Sequence, residues 1–210
     1  MFFGGHNTRM VDAKSALPGN MDPITISGRH YVLGTPIMPP FPPNCETTTI
    51  AMGCFWGAER AMWQLKGVYT TAAGYCGGFT ENPTYEQVCS GKTGHTESVL
   101  VVFDPKTLSY DQIVRTFYET HDPTQYMRQG NDIGTQYRSA LYCNNRQQEE
   151  TALEITARYQ NILEQGGMGP VATEIAVQKN FYYAEEYHQQ YLAKVPNGYC
   201  GLKSTGLKCI

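Results

Sequence analysis

No stretch of this 210-residue chain is apolar over the ~20 residues that a helix needs to cross a bilayer, and the opening MFFGGHNTRM lacks the extended apolar core of a secretory leader. Neither a membrane span nor secretion is expected. Charge of one sign is scarce as well. There are 16 Lys and Arg against 19 Asp and Glu, the formal net charge is −3, and like charges never gather into a block that could track phosphates. Nucleic acid is therefore not an expected partner. The first twenty residues hold one arginine and one lysine, few for a transit peptide, so the expected compartment is the cytoplasm, with a mitochondrial destination thinly supported. Metal-ligand spacing is also missing: there is no CxxC and no Cys-His pair at ligand distance, and Cys200 and Cys209 stand too far apart to form a site unaided. An odd count of seven cysteines (Cys45, Cys54, Cys76, Cys89, Cys143, Cys200, Cys209), without close clustering, does not fit a secreted disulfide framework. They remain as thiols used chemically or as small core residues.

What the chain does have is 41% hydrophobic residues, enough for one substantial core. Residues 1–45 carry GTPIMPPFPPN, with five prolines between Pro36 and Pro43, and should form an extended arm. A catalytic α+β domain is expected over 46–195 and a glycine-rich flexible tail over 196–210. TTTIAMG reads as a buried strand. Ala58, Ala61, Met62 and Leu65 then mark a helical face, and VYTTAAGYC a second strand. The continuous apolar run of ESVLVVFDP suggests a strand covered on both faces. Ser109 three residues before Gln112 is a capping-box pattern, followed by the stripe Tyr110, Ile113, Val114, Phe117 and Tyr118. YRSALYC, a helix from near Asn145 to the glycines at 166–169 (stripe Ala152, Ile155, Tyr159, Ile162, Leu163), and VATEIAV complete the core. This order fits a two-layer α+β sandwich of the ferredoxin-like, split-βαβ kind, with a doubly wound parallel sheet as the alternative.

In AMGCFWGAER, Cys54 falls at a strand-to-helix junction, where unpaired N–H groups and the helix dipole favour a thiolate. Position alone leaves Cys54 equally readable as a nucleophile or as a buried packing residue. Tyr85, Glu97, Asp132 and Tyr137 stand in loops rich in glycine and asparagine, each readable as a functional group or as a satisfied turn residue. The five histidines (His6, His30, His95, His121, His188) are scattered. A Cys-His acyl hydrolase would need one of them, His95 or His121 being conceivable, against Cys54. A non-catalytic reading uses Trp56, Tyr85 and Tyr137 as an aromatic platform for peptides.

GCFWGAER, NPTYEQV, GHTES, HDPTQ, RQGNDIGTQYRS, FYYAEEYHQQYL and NGYCG occur in the order found in class A peptide methionine sulfoxide reductases, and the chain resembles that family from about residue 14 to its end. Its departures are Tyr126 where glycine is expected, and Cys76 and Cys143 as additional thiols. The resemblance implies reduction of methionine S-sulfoxide, free or in proteins, by a monomer without metal or flavin, with thioredoxin as reductant. It implies Cys54 as nucleophile, Glu97 as acid, and Phe55 and Trp56 as the wall for the substrate methyl. Tyr85 and Tyr137 would donate hydrogen bonds to the sulfoxide oxygen, Asp132 would support the site, Cys200 would resolve, and Cys209 would be a second recycling thiol.

Overall fold

The computed structural model describes residues 7–177 and 180–209; His6, with the other five residues that open the expected arm, lies outside them. Residues 7–45 form neither helix nor strand, and hold one isolated β-bridge, Arg29–Pro36, with a few turn hydrogen bonds around it. The arm is nonetheless anchored. Ile26 and Ile37 are buried against Ala72, Leu100 and Val102, and the buried His30 ring meets the Thr71 hydroxyl at 2.9 Å.

The chain then alternates between strands and helices. β1 (Glu46–Met52) is ended by Gly53, whose φ of +87° suits glycine and whose Cβ, if present, would collide with the Gln129 side chain. α1 (Phe55–Trp63) follows at once, then β2 (Val68–Cys76) and the short α2 (Tyr85–Cys89), which Thr84 and Gln87 close with a capping box. β3 (Thr96–Phe103) is buried at all eight positions, as its unbroken apolar run predicts. α3 (Tyr110–Thr120) has the Ser109–Gln112 capping box and buries the five residues of the predicted stripe. β4 (Arg128–Gln129) and β5 (Asp132–Ile133) form a small hairpin that periodicity does not reveal. β6 (Ser139–Cys143), α4 (Arg146–Gln165, capped by Asn145), β7 (Glu174–Val177), β8 (Tyr182–Tyr183) and α5 (Tyr191–Lys194) complete the order.

Six strands share one sheet in the order β7-β6-β1-β3-β2-β8. β1 is antiparallel to both β3 and β6, and β3 is antiparallel to β2. Only β6 and β7 pair in parallel among the described strands, so the doubly wound parallel alternative does not hold. Helix α1 links β1 to β2 around the intervening β3, and α3 links β3 to β6 around β1. Mixed α and β elements therefore pack over one sheet, with the main core lying among α1, α3, α4 and that sheet. None of the described helices is long and apolar enough to cross a membrane.

The predicted face of α1 packs on the core, with Ala58 and Met62 buried and Ala61 and Leu65 partly buried; the helix stops at Trp63, and a second buried side, not predicted, holds Glu59, fully enclosed. The Glu59 carboxyl accepts from the Thr71 hydroxyl (3.0 Å), the Gln190 N–H (2.8 Å) and the Gln190 amide (2.6 Å). Burial raises its pKa to about 7, against the pull of these donors.

Candidate active site

Cys54 is the last residue before α1 and is 6% exposed. Opposite it, Glu97 on β3 is 1% exposed, and its Oε2 accepts a hydrogen bond from the Phe55 N–H at 3.0 Å. Burial raises the Glu97 carboxyl to about 8; the Phe55 N–H opposes the shift and nearby Asp132 adds to it. A buried proton donor thus stands beside the thiol at neutral pH. The expected thiolate at Cys54 does not follow: burial pushes the thiol well up, the Glu97 charge pushes it further, and the Trp56 N–H only partly offsets both. At this helix start a single backbone donor faces the sulfur, and desolvation outweighs it.

The structure brings the expected aromatic residues to the same place. Phe55 is buried, and its ring lies 4.9 Å from that of His188 and 6.4 Å from that of Trp56. Trp56, half-buried, stacks on Tyr191 at 3.9 Å and donates from Nε1 to His188 Nδ1 at 3.0 Å. Tyr85 opens α2 with its ring 4.5 Å from His188, and its hydroxyl is pushed up by burial and then by Glu97. Tyr137, in the turn before β6, is pushed up by the same two causes, with Tyr85 and Asp132 adding to them. Asp132 accepts from the Tyr199 hydroxyl at 3.2 Å, while its buried Oδ2 has no protein partner.

Several site residues had no assigned role in the sequence, although FYYAEEYHQQYL flagged their segment. His188 is buried, and burial lowers it to about 4, so the neutral ring accepts the Trp56 hydrogen bond. Glu185 joins two walls: it accepts from the Tyr75 hydroxyl (2.8 Å) and the Tyr85 N–H (2.9 Å). The two histidines considered for a hydrolase are engaged elsewhere. His95 uses both ring nitrogens on the Gly78 N–H and Thr80 carbonyl, and His121 on the Phe117 carbonyl and Ser139 hydroxyl. Neither offers a free nitrogen as a base for Cys54; of the other described histidines, His188 lies at the site, with Nδ1 taken by Trp56.

The tail divides in two. Residues 199–203 lie across the site, with Tyr199 on Asp132 and the Cys200 sulfur over Gly57, where Arg60 Nη2 donates to it at 3.2 Å. Cys209 is elsewhere. It is 3% exposed within the main core, its N–H donates to Glu119 at 2.9 Å, and its carbonyl accepts from Arg115 at 2.8 Å. The expected loose tail is therefore docked on α3 and α4 at its end, because Ser204, Thr205 and Lys208 also find partners there. All seven cysteines are free, and among the described residues no group of three or more His, Cys, Asp or Glu could hold a metal.

Residues 46–208 match the family model described as Peptide methionine sulfoxide reductase. The chain belongs to the peptide methionine sulfoxide reductase family. It is 56% identical over 202 residues to "Peptide methionine sulfoxide reductase MsrA" of Ectopseudomonas mendocina, covering 96% of this chain and 92% of that protein. Among solved structures, methionine sulfoxide reductase A of Corynebacterium diphtheriae superposes with a TM-score of 0.86 at 45% identity, covering 96% of this chain and 98% of that one. Mxr1 of Saccharomyces cerevisiae in complex with Trx2 shares the fold alone, with a TM-score of 0.53 at 22% identity over 81% of this chain and 96% of that one. In this family setting, the cluster around Cys54 is the candidate catalytic centre.

Proposed function

We propose that the chain reduces methionine S-sulfoxide, free or in peptides and proteins, to methionine, and so repairs oxidised proteins without metal or flavin. The observation that carries this reading is the buried carboxyl of Glu97, protonated up to a pH of about 8 and tied to the residue next to Cys54. A sulfoxide sulfur is a poor electrophile until its oxygen receives a proton or strong hydrogen bonds. Glu97 supplies that proton, Tyr85 and Tyr137 donate hydrogen bonds to the same oxygen, and the Cys54 sulfur attacks the sulfoxide sulfur.

Because Cys54 also holds its proton at rest, Glu97 takes up the thiol proton as it gives away its own. The oxygen transfers to Cys54 as hydroxyl, methionine leaves, and a sulfenic acid remains; thiol plus sulfoxide has become sulfenic acid plus thioether. Phe55 and Trp56 receive the methyl group, and Asp132 supports the polar side. Fixing methyl, oxygen and side chain at three points makes the pocket chiral and selects the S epimer.

Cys200 then attacks the sulfenic sulfur and expels water. Cys209 displaces Cys54 to leave a Cys200–Cys209 disulfide, a step that requires the tail end to leave α3 and α4. Thioredoxin reduces that disulfide, a role supported by the dithiol chemistry and by the yeast fold relative solved with Trx2. We infer a division into arm (1–45), catalytic domain (46–195) and recycling tail (196–210). The strand order β6-β1-β3-β2, with α1 and α3 as crossovers, supports a ferredoxin-like, split-βαβ core. An odd count of seven cysteines without close clustering supports a reducing setting, the cytoplasm, and the protein is proposed to act as a monomer.

The test is to incubate the reduced protein with a methionine sulfoxide peptide and no added reductant, then map the thiols by mass spectrometry. About one to two methionines per chain, with disulfides linking Cys54, Cys200 and Cys209, is the expected result. Unchanged peptide and free thiols would overturn the reading, and if the unmodified protein shows no turnover while peptide binding survives Cys54→Ser, a binding module would be favoured.

A further inference from the structure

Helix α1 carries a feature that the reaction as written does not use. Its outer face presents Gly57 and Arg60, one turn apart, and the tail lies directly on them. The Arg60 guanidinium donates from Nη2 to the Cys200 sulfur at 3.2 Å. A Cβ on Gly57 would lie 2.9 Å from that sulfur and 2.8 Å from Leu202 Cγ, closer than such atoms approach, so the tail rests where only a glycine leaves room. The flanking contacts fix the register: the Tyr199 hydroxyl holds Asp132 at 3.2 Å, and Gly201 packs against the same carboxylate.

We propose that Gly57 and Arg60 form a seat for the resolving thiol, and that Arg60 is a catalytic residue of the second half-reaction, acting on the Cys200 sulfur as it attacks Cys54. The proposal rests on the assignment of Cys200 as the resolving cysteine made above. In that step the Cys200 sulfur forms a bond to the Cys54 sulfur and the Cys54 sulfur–oxygen bond breaks. The oxygen leaves as water with the proton lost by Cys200, while the sulfenic acid formed by sulfoxide reduction serves as the oxidant. The thiolate is the attacking species, and a guanidinium N–H aimed at the sulfur both orients it and stabilises its negative charge during attack.

Gly57 has a separate purpose. Glycine is a poorer helix former than alanine, so its presence in the first turn of α1 fits a need for space above it and not for helix formation. Because the atoms a Cβ would meet belong to side chains of a tail without regular structure, Gly57→Ala displaces the tail and leaves the helix intact.

The test uses the full chain with Cys209→Ser, so that the relay stops at the Cys54–Cys200 disulfide. The reduced protein is mixed with N-acetyl-methionine sulfoxide and quenched at intervals. Methionine, the disulfide, and sulfenic acid trapped with dimedone are then quantified. Against this parent, Arg60→Met is expected to form its first methionine within about twofold of the parent rate but to close the disulfide about tenfold more slowly, with trapped sulfenic acid accumulating. Arg60→Lys should recover part of the loss. Gly57→Ala should also slow disulfide closure while leaving the melting temperature unchanged or higher, which separates a lost seat from a damaged fold. A parent that forms the disulfide, with Arg60→Met forming it equally fast, would overturn the role of Arg60. A parent that reduces the sulfoxide but never links Cys54 to Cys200 would overturn the assignment of Cys200 itself, and the seat with it.

Discussion

The two halves of the proposed thiol relay are built by different physics. Cys54 stands on a strand-to-helix junction, with Glu97, Phe55 and Met52 all buried, and its surroundings are fixed by sheet register and core packing. Cys200 stands on a segment without regular structure, held over the same site by the Arg60 and Tyr199 hydrogen bonds and by contact of Leu202 with Gly57. Burial serves the first half because it keeps a carboxylic acid protonated. It would hinder Cys200, whose thiol must move between partners, while Cys209 is buried and must first leave its place on α3. A site proposed first to protonate an oxygen and then to exchange disulfides thus combines a rigid, desolvated wall with a lightly held strap.

Breaking the wall should have the largest effect. Glu97→Gln keeps a hydrogen-bonding amide but removes the transferable proton, and kcat/KM for a methionine sulfoxide peptide is expected to fall on the order of 100-fold or more. A variant at the native rate near pH 7 would show that Glu97 is not the acid. The next contrast concerns stability. Phe55→Ala removes a 1%-exposed ring from the core and should cost about 3–5 kcal/mol by chemical denaturation, whereas Leu202→Ala on the strap should cost at most about 1 kcal/mol. Equal losses at the two positions would contradict the division into wall and strap. The smallest change is Tyr199→Phe, which deletes one exposed hydrogen bond to Asp132. Its effect on stability should stay below about 1 kcal/mol, while disulfide closure slows measurably in quenched-flow assays.

The wall also makes stability depend on pH. The folded pKa of Glu97, about 8, lies above its unfolded value, so the folded state binds the extra proton and is favoured at low pH; this contribution is lost as pH rises from about 4.5 to about 8. Glu59 acts in the same direction up to about pH 7. His30, His121 and His188, each held neutral down to about 4, act in the opposite direction: their contribution appears as pH rises from about 4 to about 6.5.

Much of the scaffold is legible in the sequence, because its signals are local. The Ser109–Gln112 capping box, the α3 stripe and the unbroken run of β3 each report burial along a single element. What periodicity misses are polar groups enclosed between elements. Glu59 interrupts the apolar pattern of α1 but is satisfied by Thr71 and Gln190, from β2 and the segment before α5. His188 belongs to no periodic face and enters the site through a ring nitrogen that Trp56 needs. Position alone leaves Cys54 undecided and the ordered motifs single it out, while its place at a helix start suggests a thiolate where desolvation holds a thiol. The position of Cys209 is hidden for another reason. A glycine-rich segment carries no pattern to say where it docks, and the contacts that bury it come from α3 and α4, far away in sequence.

The central claim is that burial keeps a proton on Glu97 beside Cys54 at neutral pH. Carbon-13 NMR of glutamate-labelled protein, with the Glu97 carboxyl signal assigned by its absence in Glu97→Gln, reads that proton directly as pH is varied. A titration midpoint near 8 is predicted, and a midpoint near the ordinary glutamate value of about 4.3 would contradict the account.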